Sequence, residues 1–303
     1  MKHIDFSMSS RAVWVKLDGG LGNQMFQYAF GRMLADSKGC DLVLDASGLG
    51  HALVGVTPRV YAMRPFNLRA KIYSEAPKIS NFQLKLLRRI PLLAGWVGVY
   101  SEKGHDYDPG AVSENGFYWV GYWQSHKYLQ ASPRKLFEDF SPQLPLSDSA
   151  CKFIKGLNPS TAVMLHVRRG DYVKLASAAQ HHGVMSLDYY RKAVNQCLLE
   201  VPDASLYIFS DDIEWCRNAS LVNHASRVTY VESDSRRGDW EDLWMMSHCG
   251  HHIIANSSFS WWAAWLADQR YGVRERKVWA PQRWFLTEDV NLEDRFPAHW
   301  RVL

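Results

Sequence analysis

Apolar residues along this chain fall into short continuous runs and longer stretches that repeat every three to four positions. The first run, Ala12 to Leu17, reads as a strand. Asp18-Gly19-Gly20-Leu21-Gly22-Asn23 follows as a loop, and a helical period then carries Met25, Phe26, Ala29, Phe30, Met33 and Leu34 between Gln24 and Ala35. Leu42 to Leu44 supplies a second strand, so the chain opens as a β-α-β unit. Asn23 is the expected N-cap of the helix, because its short side chain can accept from first-turn N–H groups, and the glycine loop aims free N–H donors outward.

Residues 46 to 130 are less regular: LRRIPLLAGWVGVY carries a proline and glycines that break any helix, and Phe117 to Tyr122 is an aromatic run. SPQLPLSDS, residues 141 to 149, reads as a linker. Beyond it the alternation is clear. Strand-like runs at Ala162 to Val167, Ser205 to Phe209, Val228 to Val231, His252 to Ala255 and Lys277 to Trp279 are separated by helical patterns near Ser186 to Glu200, Asp212 to Leu221, Asp239 to His248 and Phe259 to Asp268. Such alternation predicts a parallel, doubly wound sheet.

Polar groups collect after the carboxyl ends of these predicted strands, the edge at which open α/β sheets bind ligands. They are Arg168-Arg169-Gly170-Asp171-Tyr172, Ser210-Asp211-Asp212, Glu232-Ser233-Asp234-Ser235, Asn256-Ser257-Ser258-Phe259-Ser260 and Pro281-Gln282-Arg283. Arginine offers a planar fork of donors that matches phosphate oxygens two at a time and stays charged at any working pH, so phosphate is the first candidate ligand. Gly170 permits a sharp turn, and Asp171 is near enough in sequence to orient an arginine or a substrate hydroxyl. Asn256 to Ser260 opens a helix whose hydroxyls and N–H groups form a second anion site, against the simpler reading of plain N-capping. For the arginine pair the simpler reading is a surface ion pair.

Other motifs carry less. Gly20-Leu21-Gly22 begins like a dinucleotide fingerprint, with Asp45 placed as a ribose carboxylate, but the third glycine is Met25, too bulky for the close helix-to-strand packing the fingerprint needs. Arg169-Gly170-Asp171 recurs as Arg237-Gly238-Asp239, and three residues are too few to read as adhesion. His248, His251, His252 and Cys249, like His181 and His182, read as structural, since strand neighbours point to opposite faces and a metal needs three or four converging ligands.

Composition bounds the rest. A chain of 303 residues with 47% hydrophobic content can form two cores, with a boundary near residue 145 giving domains 1–145 and 146–303 and a cleft between them. Residues 1 to 150 hold 17 basic and 13 acidic side chains and the remainder holds 18 of each, so the excess of +4 lies in the first half. That is too weak for a nucleic-acid binder; it suits a phosphorylated small molecule or peripheral contact with an acidic membrane surface. The five cysteines are odd in number and never form CxxC, which fits a reducing cytoplasm. The opening MKHIDFSMSS has no apolar core like a signal peptide's, and no apolar run approaches the ~18 residues of a membrane span. The 13 tryptophans lean toward carbohydrate contact, although core filling is the more common use of the residue.

Taken together, GGLGNQMFQYAFGRML (19 to 34), GYWQSHKYL (121 to 129), HVRRGDY (166 to 172), YIFSDDIEW (207 to 215), IIANSSFSWWAAWL (253 to 266) and VWAPQRWF (278 to 285) resemble the shared blocks of the α-1,2-fucosyltransferase family in its bacterial type. HVRR-type motifs also occur in α-1,6 and protein O-fucosyltransferases; GGLGNQMFQYA with NSSFSWWAAWL is the specific pair. The resemblance implies a GT-B architecture of two Rossmann-like domains facing across a cleft, no essential metal or other cofactor, and transfer of L-fucose from GDP-β-L-fucose to the 2-hydroxyl of a galactose-terminated oligosaccharide or glycolipid with inversion. It also implies roles. Arg168 binds the β-phosphate, with Arg169 more structural; His166 and Asp212 serve the guanine and ribose region; Gly20, Gly22 and Asn23 close on the pyrophosphate and fucose from the first domain. Apart from the resemblance, a metal-free diphosphate leaving group needs positive charge and N–H donors, which Arg168 and the Ser257-Ser258-Phe259 helix start are placed to supply. For the acceptor proton Asp171 and Asp18 are both candidates, and Asp171 has the alternative role of orienting Arg168. A fucosyltransferase of other linkage and a non-catalytic carbohydrate-binding protein are the competing readings.

Overall fold

The computed structural model describes residues 12–50, 59–76, 79–89, 94, 97–113, 115–170, 183–222, 225–232, 234, 237–286 and 290–303. The chain divides into two compact units, Met1–Gln143 and Leu144–Leu303, a division that falls inside the proline-bearing segment 141–149.

In the first unit a parallel sheet is built from β1 (Ala12–Lys16), β2 (Asp41–Asp45), β3 (Lys71–Tyr73), β4 (Val99–Ser101) and β5 (Tyr118–Val120), in the order β3-β2-β1-β5-β4. The helices are α1 (Leu21–Lys38), α2 (Asn81–Arg89), α3 (Pro109–Ser113) and α4 (Pro133–Asp139). The described residues between 46 and 130 thus hold more regular structure than their pattern suggests. Their strands are three residues each, too short to display a period, and the aromatic run at 117–122 contains the interior strand β5, with Trp119 fully buried.

The helix α1 starts at Leu21, three residues before the predicted Gln24, and its N-cap is Gly20 rather than Asn23. The reason is backbone freedom: Gly19 turns the chain at φ +76°, a conformation open to glycine, and the helix begins directly after the turn. It ends at Gly39, φ +60°, whose N–H reaches the carbonyls of Ala35 and Asp36. Met25 is fully buried, and the close helix-to-strand approach is made instead at Gly31, where a Cβ would lie 2.7 Å from both Val15 and Leu42. Asp45 is buried and accepts from the Tyr118 hydroxyl at 2.6 Å and from Ser47, so it is a structural carboxylate.

The second unit holds β6 (Ala162–Val167), β7 (Ser205–Ser210), β8 (Val228–Tyr230), β9 (His251–Ile253), β10 (Val278–Ala280) and β11 (Arg301–Val302), all parallel, in the order β11-β10-β9-β6-β7-β8. Numbered from its own first strand this is 6-5-4-1-2-3, the order of a Rossmann fold. The last strand, two residues long, escapes the sequence pattern. Helices α5 (Asp148–Lys155), α6 (Leu187–Glu200), α7 (Ile213–Asn218), α8 (Asp239–Met246), α9 (Ser258–Tyr271) and α10 (Leu292–Arg295) complete it. Ser147, Ser186, Asp212 and Asn291 cap α5, α6, α7 and α10 through their side chains.

Among the described residues nine tryptophans are buried, so these serve the core. Trp261 and Trp262 of α9 meet edge to face at 5.2 Å, and each buried indole contributes roughly 4–6 kcal/mol of gross apolar burial. Beneath them Asp268 accepts from Arg276 Nε (2.9 Å), His299 Nε2 (2.9 Å) and Trp300 Nε1 (2.8 Å). Breaking such a buried pair by removing one partner costs about 3–5 kcal/mol. No helix among the described residues is long and apolar enough to cross a membrane.

Candidate functional site

Strand order reverses between β6 and β9 in the second sheet, and such a reversal opens a crevice beyond the carboxyl ends of the strands. β6 ends in His166-Val167 and runs straight into Arg168 and Arg169; β9 leads through Ile254-Ala255-Asn256 into the start of α9. The two sides are in contact, because the His166 ring lies 5.9 Å from the ring of Phe259 in the first turn of α9.

Arg168 is fixed by a residue that sequence reasoning passed over. Asp211, just beyond β7, receives Arg168 Nη1 at 3.0 Å on one oxygen and the backbone N–H of Arg169 at 2.8 Å on the other. The register that pairs Val167 with Ser210 brings these residues side by side. Gly170 completes the fit, since a Cβ there would stand 2.9 Å from Asp211 Oδ2. Only the Ser210-Asp211-Asp212 cluster hinted at this, and of its two carboxylates the resemblance singled out Asp212 rather than Asp211. Asp212 is otherwise engaged: Oδ1 caps α7 through Trp215 N (3.2 Å) and Oδ2 meets Arg169 Nε (3.4 Å). Arg169 also stacks on the Trp215 ring at 3.9 Å, so its guanidinium is locked between a carboxylate and an indole.

His166 is buried, and its Nδ1 has no hydrogen-bond partner among the described residues. Burial, reinforced by the Arg168 charge, pushes its pKa down to about 4. The ring is therefore neutral at working pH and keeps a nitrogen for a ligand. Ser257 stands at the N-cap of α9 without bonding a helix N–H through its side chain, so its hydroxyl is not spent on capping, and Ser258 and Phe259 follow it in the first turn, where the positive end of the helix dipole lies.

In the first sheet the chain builds β2 and β3 on one side of β1, then crosses to the far edge for β4 and returns inward, so that the two halves of the sheet meet at a β1/β5 junction. Here the groups are neutral amides. Asp18 is exposed, its N–H donates to Gln27 Oε1 (3.0 Å), and its own Oδ1 accepts from Gly19 N (2.7 Å). Gln27 Nε2 donates to the Gly121 carbonyl beyond β5 at 2.9 Å. Gln24, fully buried, donates to the carbonyls of Gly19 (2.9 Å) and Val60 (2.8 Å) and accepts from Ala62 N (3.0 Å). Asn23, displaced from the cap it was expected to form, accepts from Gln124 Nε2 at 2.8 Å. Gly20 and Gly22 lie at the cap and within the first turn of α1. The signal for Gln24 and Gln27 was present as two amides inside an otherwise apolar helical stripe.

Asp171 lies outside the described residues, as do His181 and His182. Among the described residues no three His, Cys, Asp or Glu side chains gather to hold a metal ion. His248 Nδ1, His251 Nε2 and His252 Nε2 each meet a backbone carbonyl, of Trp244, Ser160 and Met246.

The model of the family described as "Glycosyl transferase family 11" matches residues 100–300. An α-1,2-colitosyltransferase of Escherichia coli is 30% identical over 95% of this chain and 97% of its own. The O-antigen biosynthesis glycosyltransferase WbnK of Escherichia coli is 30% identical over 89% of this chain and 93% of its own. A galactoside 2-α-L-fucosyltransferase of Bos taurus, SEC1, is 25% identical over 84% of this chain and 74% of its own. Two doubly wound parallel sheets, one ending in a braced arginine beside a helix start, thus belong here to a glycosyltransferase. The chain is a member of glycosyl transferase family 11, and the α-1,2-fucosyltransferase resemblance read from its sequence blocks stands.

Proposed function

We propose that the protein transfers L-fucose from GDP-β-L-fucose to the 2-hydroxyl of a terminal galactose, with inversion and without a metal ion. The observation that carries this reading is the β6/β9 crevice, where braced Arg168, neutral His166 and the start of α9 converge. A departing nucleoside diphosphate accumulates negative charge, and a guanidinium fork with aligned N–H donors answers it in place. Arg168 and the Ser257-Ser258-Phe259 start of α9 hold the diphosphate. His166 meets the nucleoside end through Nδ1, with Asp212 and Arg169 supporting from behind. In the first unit Gly20, Gly22 and Asn23 serve the sugar end.

The acceptor hydroxyl loses a proton, and a carboxylate is the ordinary base; Asp171 and Asp18 are the two candidates. A second reading is favoured by the colitosyltransferase relative: colitose is fucose without its 3-hydroxyl, and the same crevice would serve its GDP conjugate. A GDP-release assay across GDP-fucose, GDP-colitose and GDP-mannose, with and without lactose and with excess EDTA, tests these points. Lactose-dependent release from GDP-fucose that survives EDTA is expected. Preference for GDP-colitose would shift the donor, and loss with EDTA that Mg²⁺ or Mn²⁺ restores would install a metal. Across pH, Asp171→Asn removes the acidic limb of kcat if Asp171 is the base, and Asp18→Asn does so if the roles are exchanged.

A further inference from the structure

Glu102 follows β4 and extends its ladder by one residue, its N–H donating to the Val120 carbonyl at 2.9 Å. Its carboxylate then takes two consecutive backbone donors across the sheet edge, Tyr122 N on Oε2 at 2.6 Å and Trp123 N on Oε1 at 2.9 Å. Both oxygens are committed to one turn. That turn is strained: Trp123 sits at φ +56°, a region that bulky side chains rarely adopt. Its indole is fully buried and stacked on Phe30, with centroids 3.9 Å apart and planes 5° from parallel. Gly121 is required by the same arrangement, because a Cβ there would lie 2.5 Å from Glu102 Cβ.

Strain of this kind persists only where surrounding groups over-determine it, and it gathers at functional sites. Here it falls at the β1/β5 junction. Gln27 Nε2 pins the Gly121 carbonyl, Glu102 pins the next two N–H groups, and the turn delivers Gln124, whose amide reaches Asn23 Oδ1 at 2.8 Å. Asn23 is thereby laid over the glycine turn, its Nδ2 lying 2.5 Å from where a Cβ on Gly19 would be.

We propose that Glu102 is a positioning residue for the transfer step: it holds the Gly121–Gln124 turn and, through Gln124, sets the amide of Asn23. The proposal rests on the fucosyl-transfer reading above. Its test is Glu102→Gln, which keeps the shape but turns an NH₂ group toward a backbone N–H, donor against donor. We expect kcat to fall on the order of 10²-fold, the scale of a misplaced positioning group. The Kd for GDP, measured by calorimetry, stays within about 2-fold, since the arginine, histidine and helix start assigned to GDP belong to the other sheet. Glu102→Asp, which retains both acceptors on a shorter arm, recovers activity to within about 10-fold of wild type.

A merely structural role would lower the melting temperature of both variants and leave kcat per folded molecule unchanged, which overturns the proposal. Should Glu102→Gln fail to fold, Gln124→Met removes the last bond of the relay without touching the strained turn. The same kcat loss at unchanged GDP affinity supports the proposal, and a wild-type kcat overturns it. A wild-type protein that releases no GDP from GDP-fucose with lactose overturns both the proposal and the reading beneath it.

Discussion

The two sheets are wound differently, the second building outward from β9 and the first crossing to the edge strand β4 before β5 returns beside β1, and their two central junctions carry opposite chemistry. At β6/β9 the groups are Arg168, Arg169 and a helix start beside a neutral histidine. At β1/β5 they are Gln24, Gln27, Asn23 and Gln124, which bond to one another and to backbone. A parallel sheet supplies the edge in both units, while the residues after the strand ends decide whether that edge presents charge or neutral amides. An anion needs fixed cations braced by carboxylates, and a sugar needs directional amides held in one orientation.

The largest expected effect strikes the charged reversal. Arg168→Lys keeps the charge, loses the fork and releases one oxygen of Asp211, so kcat/KM for GDP-fucose should fall at least ~100-fold, a loss of about 2.7 kcal/mol. A value near wild type would remove the contrast between the two junctions. Acid stability separates the units next. His166 and His248 have pKa values lowered to about 4, and burial lowers His251 and His252 as well, all in the second unit. A histidine whose folded pKa lies below its unfolded value leaves the native state short of protons that the unfolded chain binds. Stability is therefore full above ~6.5 and declines as pH falls toward the folded value. At pH 5 the loss should be about 1–2 kcal/mol for each of His166 and His248, read from urea midpoints at pH 7 and 5. An unchanged midpoint would contradict their neutral burial. The smallest effect is Gly170→Ala: the methyl group meets an Asp211 carboxylate that cannot swing away without releasing Arg168, and donor kcat/KM should drop about 10-fold, near 1.4 kcal/mol. Wild-type kinetics in that variant would show the Asp211 brace to be slack.

Much of the second unit was legible because β6 and β7 are six residues each, long enough to show apolar runs, and α6 and α7 open on Ser186 and Asp212, whose side chains announce a cap; the short helices α5 and α10, capped by Ser147 and Asn291, went unread. The first unit hid more. Gly20 caps α1 without a side chain to announce it, so Asn23 drew the assignment, and three-residue strands such as β3 and β4 show no period. Arg168 could be read as an anion ligand from residue type and position, whereas its brace could not. Asp211 lies some forty positions away and is recognised only through the β6/β7 register. Glu102 was invisible for the same reason, its partners being two N–H groups that any sequence would contain.

The central claim is that the β6/β9 reversal binds a diphosphate through the fork of Arg168. Calorimetric titration of GDP and of guanosine into the wild-type protein and Arg168→Lys tests it most directly. GDP is expected to bind wild type far more tightly than guanosine, and Arg168→Lys to weaken GDP by about 10-fold or more, the scale of a charge-assisted hydrogen bond, while leaving guanosine unaffected. Equal affinities for GDP and guanosine in wild type, or an advantage for GDP that survives in Arg168→Lys, would contradict it.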